Sequence, residues 1–401
     1  MRIAFLGNMN NMGYVYAKAL RQRGYEVTLF LDANKTFLLD RPESWEGYDN
    51  KNNSDWIIEP FYNERFYLYR LTFPSLFLRR LLKKLETYDV VFLNGIWIAI
   101  GSYLKTTQKV MGLFAGFDID VLGDESTVKT LTNDFYTSRF KKVKGLVPGS
   151  LVNKFYTKYI ANHIEGIRRT DLISYYTEGI SPKGDDLIKE IKNGQEFTRL
   201  QLRGFDTKHF SYHPKEKTDN FIILNTTRFC FLEEREDNKR NDIMLQGIAK
   251  FIAAIENKNV SLIFFEKGVD LPAAKKLCAD LGLEKYIQWV KQVSLAELTA
   301  YYEKCDVAFD QLGNQWIGSG LFSMLTGRPL IANARLDVFD KLTKTPSPIC
   351  HATNADEVCN WLLKLYNDHD RAVAIGKRSR DYVLEMYDLD KTIDFFIKNM
   401  A

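Results

Sequence analysis

The sequence predicts an α/β protein made of two doubly wound, parallel-sheet domains in series. Three observations predict it. At 401 residues the chain exceeds one ordinary hydrophobic core and suits two of about 200 residues each. Short apolar runs alternate with longer amphipathic ones, as β-α-β units require. The alternation comes as two separate series, divided by the charged stretch 206–220, which contains Pro214 and reads as a linker.

Ile3-Ala4-Phe5-Leu6 reads as a buried strand. A polar turn from Gly7 to Gly13 follows, then a helix over 14–23 stopped by Gly24 and a strand over 27–31. Such a unit implies parallel strands joined by right-handed crossovers. Val90-Val91-Phe92-Leu93 and the runs 109–114 and 171–175 supply further strands. Phe221-Ile222-Ile223-Leu224 opens the second series. A helix over 241–255, a strand over 260–265, a helix over 270–283 and a strand over 287–290 continue it. A helix over 295–304 and the strand Val307-Ala308-Phe309 complete the regular alternation. A last helix covers 391–400. The expected division is 1–210 and 211–382, with 383–401 a C-terminal segment able to pack back on the first domain.

Composition narrows the function classes. Hydrophobic residues at 45% and charged residues at 26% are globular values. A net charge of +4 on this length gives no argument for nucleic acid. The five cysteines form no C-x-x-C pair and suit reduced thiols in a cytosolic protein. The five histidines show no metal-ligand spacing. Met1 to Gly7 reads as a strand, not a secretory leader, and the apolar run 90–104 is broken by Asn94-Gly95. It falls short of the roughly 18 residues a membrane span needs.

The segment richest in chemistry is Asp310-Gln311-Leu312-Gly313-Asn314-Gln315-Trp316-Ile317-Gly318-Ser319-Gly320, followed by Leu321-Phe322-Ser323-Met324-Leu325-Thr326-Gly327-Arg328-Pro329. It reads as a strand end, a glycine-rich loop, a short helix and a Gly-x-Pro step into the next strand. A glycine loop opening a helix can present free backbone N–H groups to a phosphate. The order resembles the donor-site segment of retaining GT-B glycosyltransferases, family 4-like. There an E-x7-E motif ends in Glu-Ala-Met-Ala-x-Gly-x-Pro. Here Phe322 stands at the second glutamate and Asn314 at the first.

The resemblance extends along the chain. Asn225-Thr226-Thr227-Arg228, then Asn238-Lys239-Arg240-Asn241-Asp242, is similar to the family's Arg…Lys-Gly-x-Asp pair, with Arg240 at the glycine. Phe264-Phe265-Glu266-Lys267-Gly268 resembles the strand-to-loop step beside the nucleotide. Gln288-Trp289-Val290 and the stretch from Ser294 to Val307 resemble the lead into the donor loop. Arg203-Gly204-Phe205-Asp206 resembles the phrase that closes the first domain, and Ala115-Gly116-Phe117-Asp118 an acceptor-side segment. This implies the GT-B architecture: two Rossmann-like domains facing each other across a cleft.

Glycosyl transfer breaks a bond between an anomeric carbon and a diphosphate, so the site needs cations and N–H dipoles fixed at the phosphate. The resemblance gives Arg228 and Lys239 the cationic role and the amides of Gly318, Ser319 and Gly320 the dipoles. The co-substrate would be a nucleotide sugar, most simply a UDP-sugar, with no cofactor and no metal. Ser323 could take over the ribose contact, and Glu266 would lie beside the nucleotide. Asn10, Asn11 and Gly13 could contact phosphate or acceptor, or simply form the turn. Asp118 could orient an acceptor hydroxyl or cap a helix, and Asp118-Ile119-Asp120 also spells a weak D-x-D metal signature. Trp316 could stack on a sugar or pack, and Lys267, one strand away, is expected to matter less.

Residues 74–85, with Arg79, Arg80, Lys83 and Lys84, form an amphipathic basic segment; Arg139, Lys141, Lys142, Lys144, Lys154 and Lys158 form another. Such segments lie on anionic lipid or pack against a core. The expected protein is a cytoplasmic glycosyltransferase, peripheral on the inner face of the membrane, acting on a polysaccharide or lipid-linked glycan and not on nucleic acid. Two rivals stand beside it: a nucleotide-sugar 2-epimerase-like isomerase, and a degenerate, non-catalytic binding subunit.

Overall fold

The computed structural model describes residues 1–31, 40–43, 55–59, 67–137, 145–233 and 238–400. The chain divides into two compact units. One comprises Met1–Glu178, Pro182–Phe205 and Leu389–Ala401; the other comprises Gly179–Ser181 and Asp206–Asp388.

The first unit holds a seven-stranded, wholly parallel sheet of order β3-β2-β1-β4-β5-β6-β7. Its strands are β1 (Arg2–Leu6), β2 (Glu26–Phe30), β3 (Ile57–Ile58), β4 (Val90–Asn94), β5 (Lys109–Leu113), β6 (Leu172–Ser174) and β7 (Thr198–Leu200). Parallel strands are covered on both faces, which is why β1 and β4 read as unbroken apolar runs. Along β1, Ala4 and Leu6 join one core cluster while Ile3 and Phe5 join the other, so alternate side chains fill opposite faces. The helix Gly149–Arg169 crosses the 3-10 segment Gly95–Tyr103 closely. A Cβ on Gly166 would stand 1.8 Å from the Ile98 carbonyl oxygen, so only glycine permits that approach.

The helix Leu389–Met400 belongs to this unit. Ile393, Phe396 and Met400 are buried in the cluster that contains β1 and β4 side chains. Phe396 meets Tyr16 and Phe92 edge-on at 5.3 and 5.2 Å. Arg23 pairs with Asp390 at 2.8 Å and also with Asp394.

The second unit holds a six-stranded parallel sheet of order β10-β9-β8-β11-β12-β13. Its strands are β8 (Phe221–Asn225), β9 (Val260–Phe265), β10 (Ile287–Val290), β11 (Val307–Phe309), β12 (Leu330–Ala332) and β13 (Cys350–His351). One core cluster gathers β8, β9 and β11 with the helices Asn241–Ala254 and Ala355–Asn367. All five cysteines are free thiols. The stretch 206–220 carries no strand or helix, yet Phe210 is 1% exposed and stacks on Phe322 at 4.7 Å. It is therefore part of the second unit's packing rather than a loose connection.

The basic segment 74–85 is not one helix. It forms Pro74–Phe77 and Arg79–Leu85, broken at Leu78. Arg139, Lys141, Lys142 and Lys144 lie outside the described residues. No helix among the described residues is long and apolar enough to cross a membrane.

Candidate functional site

In a doubly wound sheet, loops at the carboxyl ends of the strands open a crevice where the strand order reverses. In the second unit the reversal falls between β8 and β11. Arg228 follows β8 and is exposed. The turn that carries it is set by Asn225, whose Oδ1 accepts from the Thr227 amide at 3.2 Å and its hydroxyl at 2.7 Å. Lys239 is stitched between the two loops: its amide donates to Cys230 O at 2.7 Å and its carbonyl accepts from the Leu312 amide at 3.0 Å. Arg240 has φ +50°, the left-handed region that favours glycine. That is the position where the resembling phrase has glycine. The structure thus brings the Arg228 and Lys239 backbones to one sheet edge.

The glycine loop departs from expectation. The resemblance implies amides free to meet a phosphate, but Asp310 takes two of them. Asp310 Oδ2 accepts from Gly318 N at 3.0 Å and Gly320 N at 2.7 Å, and its Oδ1 accepts from Gln311 N at 2.7 Å. The carboxylate is 4% exposed. The loop caps itself with its own anion, and the helix it opens, Gly320–Leu325, is only six residues long. The Ser319 hydroxyl accepts from Thr226 at 3.1 Å, and its carbonyl accepts from the buried Tyr302 hydroxyl at 2.9 Å. Ser323, fully buried, donates to Gly320 O at 2.7 Å, which closes the helix turn. Trp316 packs against Phe339 and Tyr387. Asn333 and Arg335 hold the carbonyls of Gly313 and Asn314, so the loop is fixed from several sides.

Glu266 and Lys267 follow β9, the neighbour of β8. Glu266 pairs with Lys275 at 2.6 Å. Lys267 is half-buried, and burial lowers its proton affinity; Asp310 opposes that shift and Arg228 adds to it.

The first unit has a matching reversal between β1 and β4. Its crevice is bridged by side chains. Asn94 Oδ1 accepts from the Met9 amide, and Asn94 Nδ2 donates to Leu113 O, both at 2.5 Å. Asn8 Oδ1 accepts from the Tyr14 amide at 2.7 Å, and Asn8 Nδ2 donates to Asn11 Oδ1 at 2.8 Å. Asn10 is exposed and Asn11 fully buried; both have left-handed φ. A Cβ on Gly13 would stand 2.5 Å from Gly7 O, so this glycine lets the helix start close under the strand.

Asp118 is fully buried. Its Oδ1 accepts from the amides of Ala115 at 2.8 Å and Gly116 at 3.0 Å, and burial pushes its carboxyl up to about 7. His163 contacts the Asp118 carbonyl at 2.8 Å through Nε2, and burial holds that imidazole down at about 4. Asp120 accepts from the Tyr175 hydroxyl at 2.5 Å instead. The two carboxylates of the D-x-D serve different partners, and no metal-binding group of three or more His, Cys, Asp or Glu occurs among the described residues.

Sequence reasoning missed Asp310, Tyr302 and Asn94. Their signal is positional: Asn94 and Asp310 stand at or just past a strand's carboxyl end, where a polar residue must serve a loop.

No protein-family model matches the chain, and no curated protein matches it. Solved structures do. Sucrose-phosphate synthase from Thermosynechococcus elongatus is similar at TM-score 0.63 and 14% identity, over 99% of this chain and 98% of that one. HepE of Anabaena, solved in complex with UDP and glucose, is similar at TM-score 0.62 and 14% identity, over 100% and 99%. A UDP-N-acetylglucosamine 2-epimerase from Listeria monocytogenes, itself a tentative assignment, is similar at TM-score 0.53 and 10% identity, over 99% and 94%. With two parallel-sheet domains of seven and six strands, the chain has the GT-B fold of known glycosyltransferase structures.

Proposed function

We propose that this protein moves a sugar from a nucleotide donor, a UDP-sugar, to a polysaccharide or lipid-linked glycan acceptor, with retention and without a divalent metal. The observation that carries the reading is the basic edge of the second unit, with Arg228 after β8 and Lys239 held between the loops of β8 and β11. HepE, whose fold this chain shares, was solved with UDP and glucose, which supports a nucleotide sugar as the donor. In the reaction the bond from the anomeric carbon to the diphosphate oxygen breaks, and its electron pair leaves with the diphosphate. The acceptor oxygen bonds to the same face of that carbon, and its proton passes to the departing diphosphate oxygen. Arg228 and Lys239 would neutralise the leaving diphosphate, a contribution that grows as its charge develops. Retention rests on the resemblance of the 322–329 phrase.

In this reading the acceptor lies at an anionic membrane surface, with the protein peripheral and cytoplasmic. Tyr69, Phe73, Leu76 and Phe77 are 49%, 40%, 69% and 43% exposed, and Tyr69 and Phe73 both contact Phe155. Arg79, Arg80, Lys83 and Lys84 next to them are exposed, while Leu78, Leu81 and Leu85 face the core. Apolar side chains beside basic ones suit an interface of acyl chains and anionic headgroups.

The epimerase likeness favours a second reading, an isomerase acting on the nucleotide sugar. That chemistry needs acid–base groups, and two histidines are already committed: His163 is buried, and His351 Nδ1 accepts from the Ala334 amide. Incubating purified protein with UDP-, ADP- and GDP-sugars in excess chelator tests the readings. Sugar transferred to an acceptor, or slow hydrolysis releasing the nucleoside diphosphate, supports the transferase. An epimerised donor supports the isomerase. Binding without turnover supports a non-catalytic subunit.

A further inference from the structure

The sequence gives Lys267 a lesser part than Arg228 and Lys239, but the second unit holds it in an unusual way. Its carbonyl accepts from the Phe229 amide at 2.8 Å, and the Phe229 carbonyl accepts from the Asp270 amide at 3.1 Å. A Cβ on Gly268 would stand 2.2 Å from Phe229 O, so the corner after β9 is pressed onto the backbone next to Arg228. Phe229 is fully buried and packs against Phe264 and Trp289, which makes this corner rigid.

Lys267 is not part of a structural ion pair among the described residues. Asp310, the carboxylate whose field reaches Lys267, has its oxygens taken by the amides of Gln311, Gly318 and Gly320. No ion pair joins it to Lys267, whose ammonium takes no hydrogen bond and no ion pair among the described residues. The loops that carry Arg228 and Lys267 are thus hydrogen-bonded to each other, and Arg228 raises the cost of keeping Lys267 charged. Proteins relieve such an arrangement with an anion.

We propose that Lys267 is a direct ligand of the donor diphosphate, gripping it together with Arg228 at the carboxyl ends of β9 and β8. The assignment rests on the nucleotide-sugar reading of this edge and deepens it. It makes Lys267 the residue that separates nucleoside diphosphates from monophosphates.

The test uses the full chain and calorimetric titration with UDP, ADP and GDP, the matching monophosphates, and uridine. For the diphosphate that wild type binds, Lys267→Met should raise Kd by at least about tenfold, with less effect on the monophosphate and none on the nucleoside. Lys267→Arg should recover most of the loss, and Lys276→Met, exposed on the next helix, should bind as wild type. A second readout needs no variant: the bound diphosphate should protect Lys267 of wild-type protein from an amine-reactive reagent, followed by peptide mass spectrometry. Unchanged diphosphate affinity in Lys267→Met overturns the assignment while leaving the donor reading intact. So does an equal loss for diphosphate, monophosphate and nucleoside, or labelling of Lys267 that the diphosphate does not slow. Wild type that binds none of the nucleotides overturns the donor reading and this assignment together.

Discussion

Arg228 and Lys239 owe their placement to the backbone around them: the Asn225 side chain sets one turn, and paired amide bonds to Cys230 and Leu312 set the other. Truncating either side chain should therefore leave the fold intact. Arg228→Ala or Lys239→Ala should lower turnover by about tenfold to a hundredfold, the loss of one or two charge-assisted hydrogen bonds. Near-normal turnover in the double variant, with an unchanged circular dichroism spectrum, would place the donor phosphate elsewhere. Asp310 is the opposite case, because three amides depend on it. Asp310→Ala should destabilise the second unit by at least about 2 kcal/mol in denaturant titration. Asp310→Asn keeps one acceptor oxygen and should cost less. Asp118 gives a pH signature. Its carboxyl sits at about 7 in the folded chain, above its ordinary value of 3.8, so folding holds its proton more tightly. The resulting stabilisation is complete below about pH 4 and is lost as pH rises towards 7. Asp118→Asn should flatten that decline, with the gap between variant and wild type widening by roughly 1–3 kcal/mol from pH 4 to 8. Parallel stability curves for the two proteins would refute a buried, protonated Asp118.

At the scale of elements, the broken segment 74–85 makes a clean prediction. Its inward leucines belong to the core, so its outer charges can be changed without unfolding it. Replacing Arg79, Arg80, Lys83 and Lys84 with glutamate should release the protein from anionic vesicles, since each basic residue there contributes about 1 kcal/mol. Replacing Leu76 and Phe77 with serine should weaken binding at high salt as well, where charge is screened. Wild type that ignores anionic vesicles at low salt would end the membrane proposal. The same segment shows what sequence can resolve. Its spacing displayed an apolar stripe, but only packing reveals that Leu78, Leu81 and Leu85 turn inward while Leu76 and Phe77 stay out. β1, β4 and β8 were legible because strands buried on both faces read as continuous apolar runs. β3 and β7 were not: Ile57–Ile58 is too short to show a period, and Thr198–Leu200 carries Arg199 in its middle. The positions of Arg228 after a strand and of Lys239 before a helix were legible, and their role was implied by the resemblance alone. The self-capping of the glycine loop was not, because Asp310 reaches eight and ten residues along the chain and nothing in the local pattern marks that bond.

At the scale of the whole molecule, the path of the chain matters more than either sheet. The chain leaves the first unit at Phe205, builds Asp206–Asp388 into the second, and returns with Leu389–Ala401. Deleting residues 389–401 removes Ile393 and Phe396 from the first unit's core, where losing one large apolar side chain costs about 2–5 kcal/mol. Hydrogen exchange at β1 and β4 amides should then quicken strongly, while β8 and β9 amides should be protected as before. Equal loss of protection in both sheets would contradict the assignment of this helix to the first unit alone. The return also sets an order of events during synthesis. The amino-terminal half emerges from the ribosome first, yet its last helix is made only after all of Asp206–Asp388. At about 5–20 residues per second that is a delay of roughly 10–40 s, during which the face awaiting Ile393 and Phe396 is uncovered. Newly made first units should therefore be chaperone clients until residues 389–400 have been made. A nascent chain stalled before residue 389 should stay protease-sensitive in its first half, however completely that half has been translated.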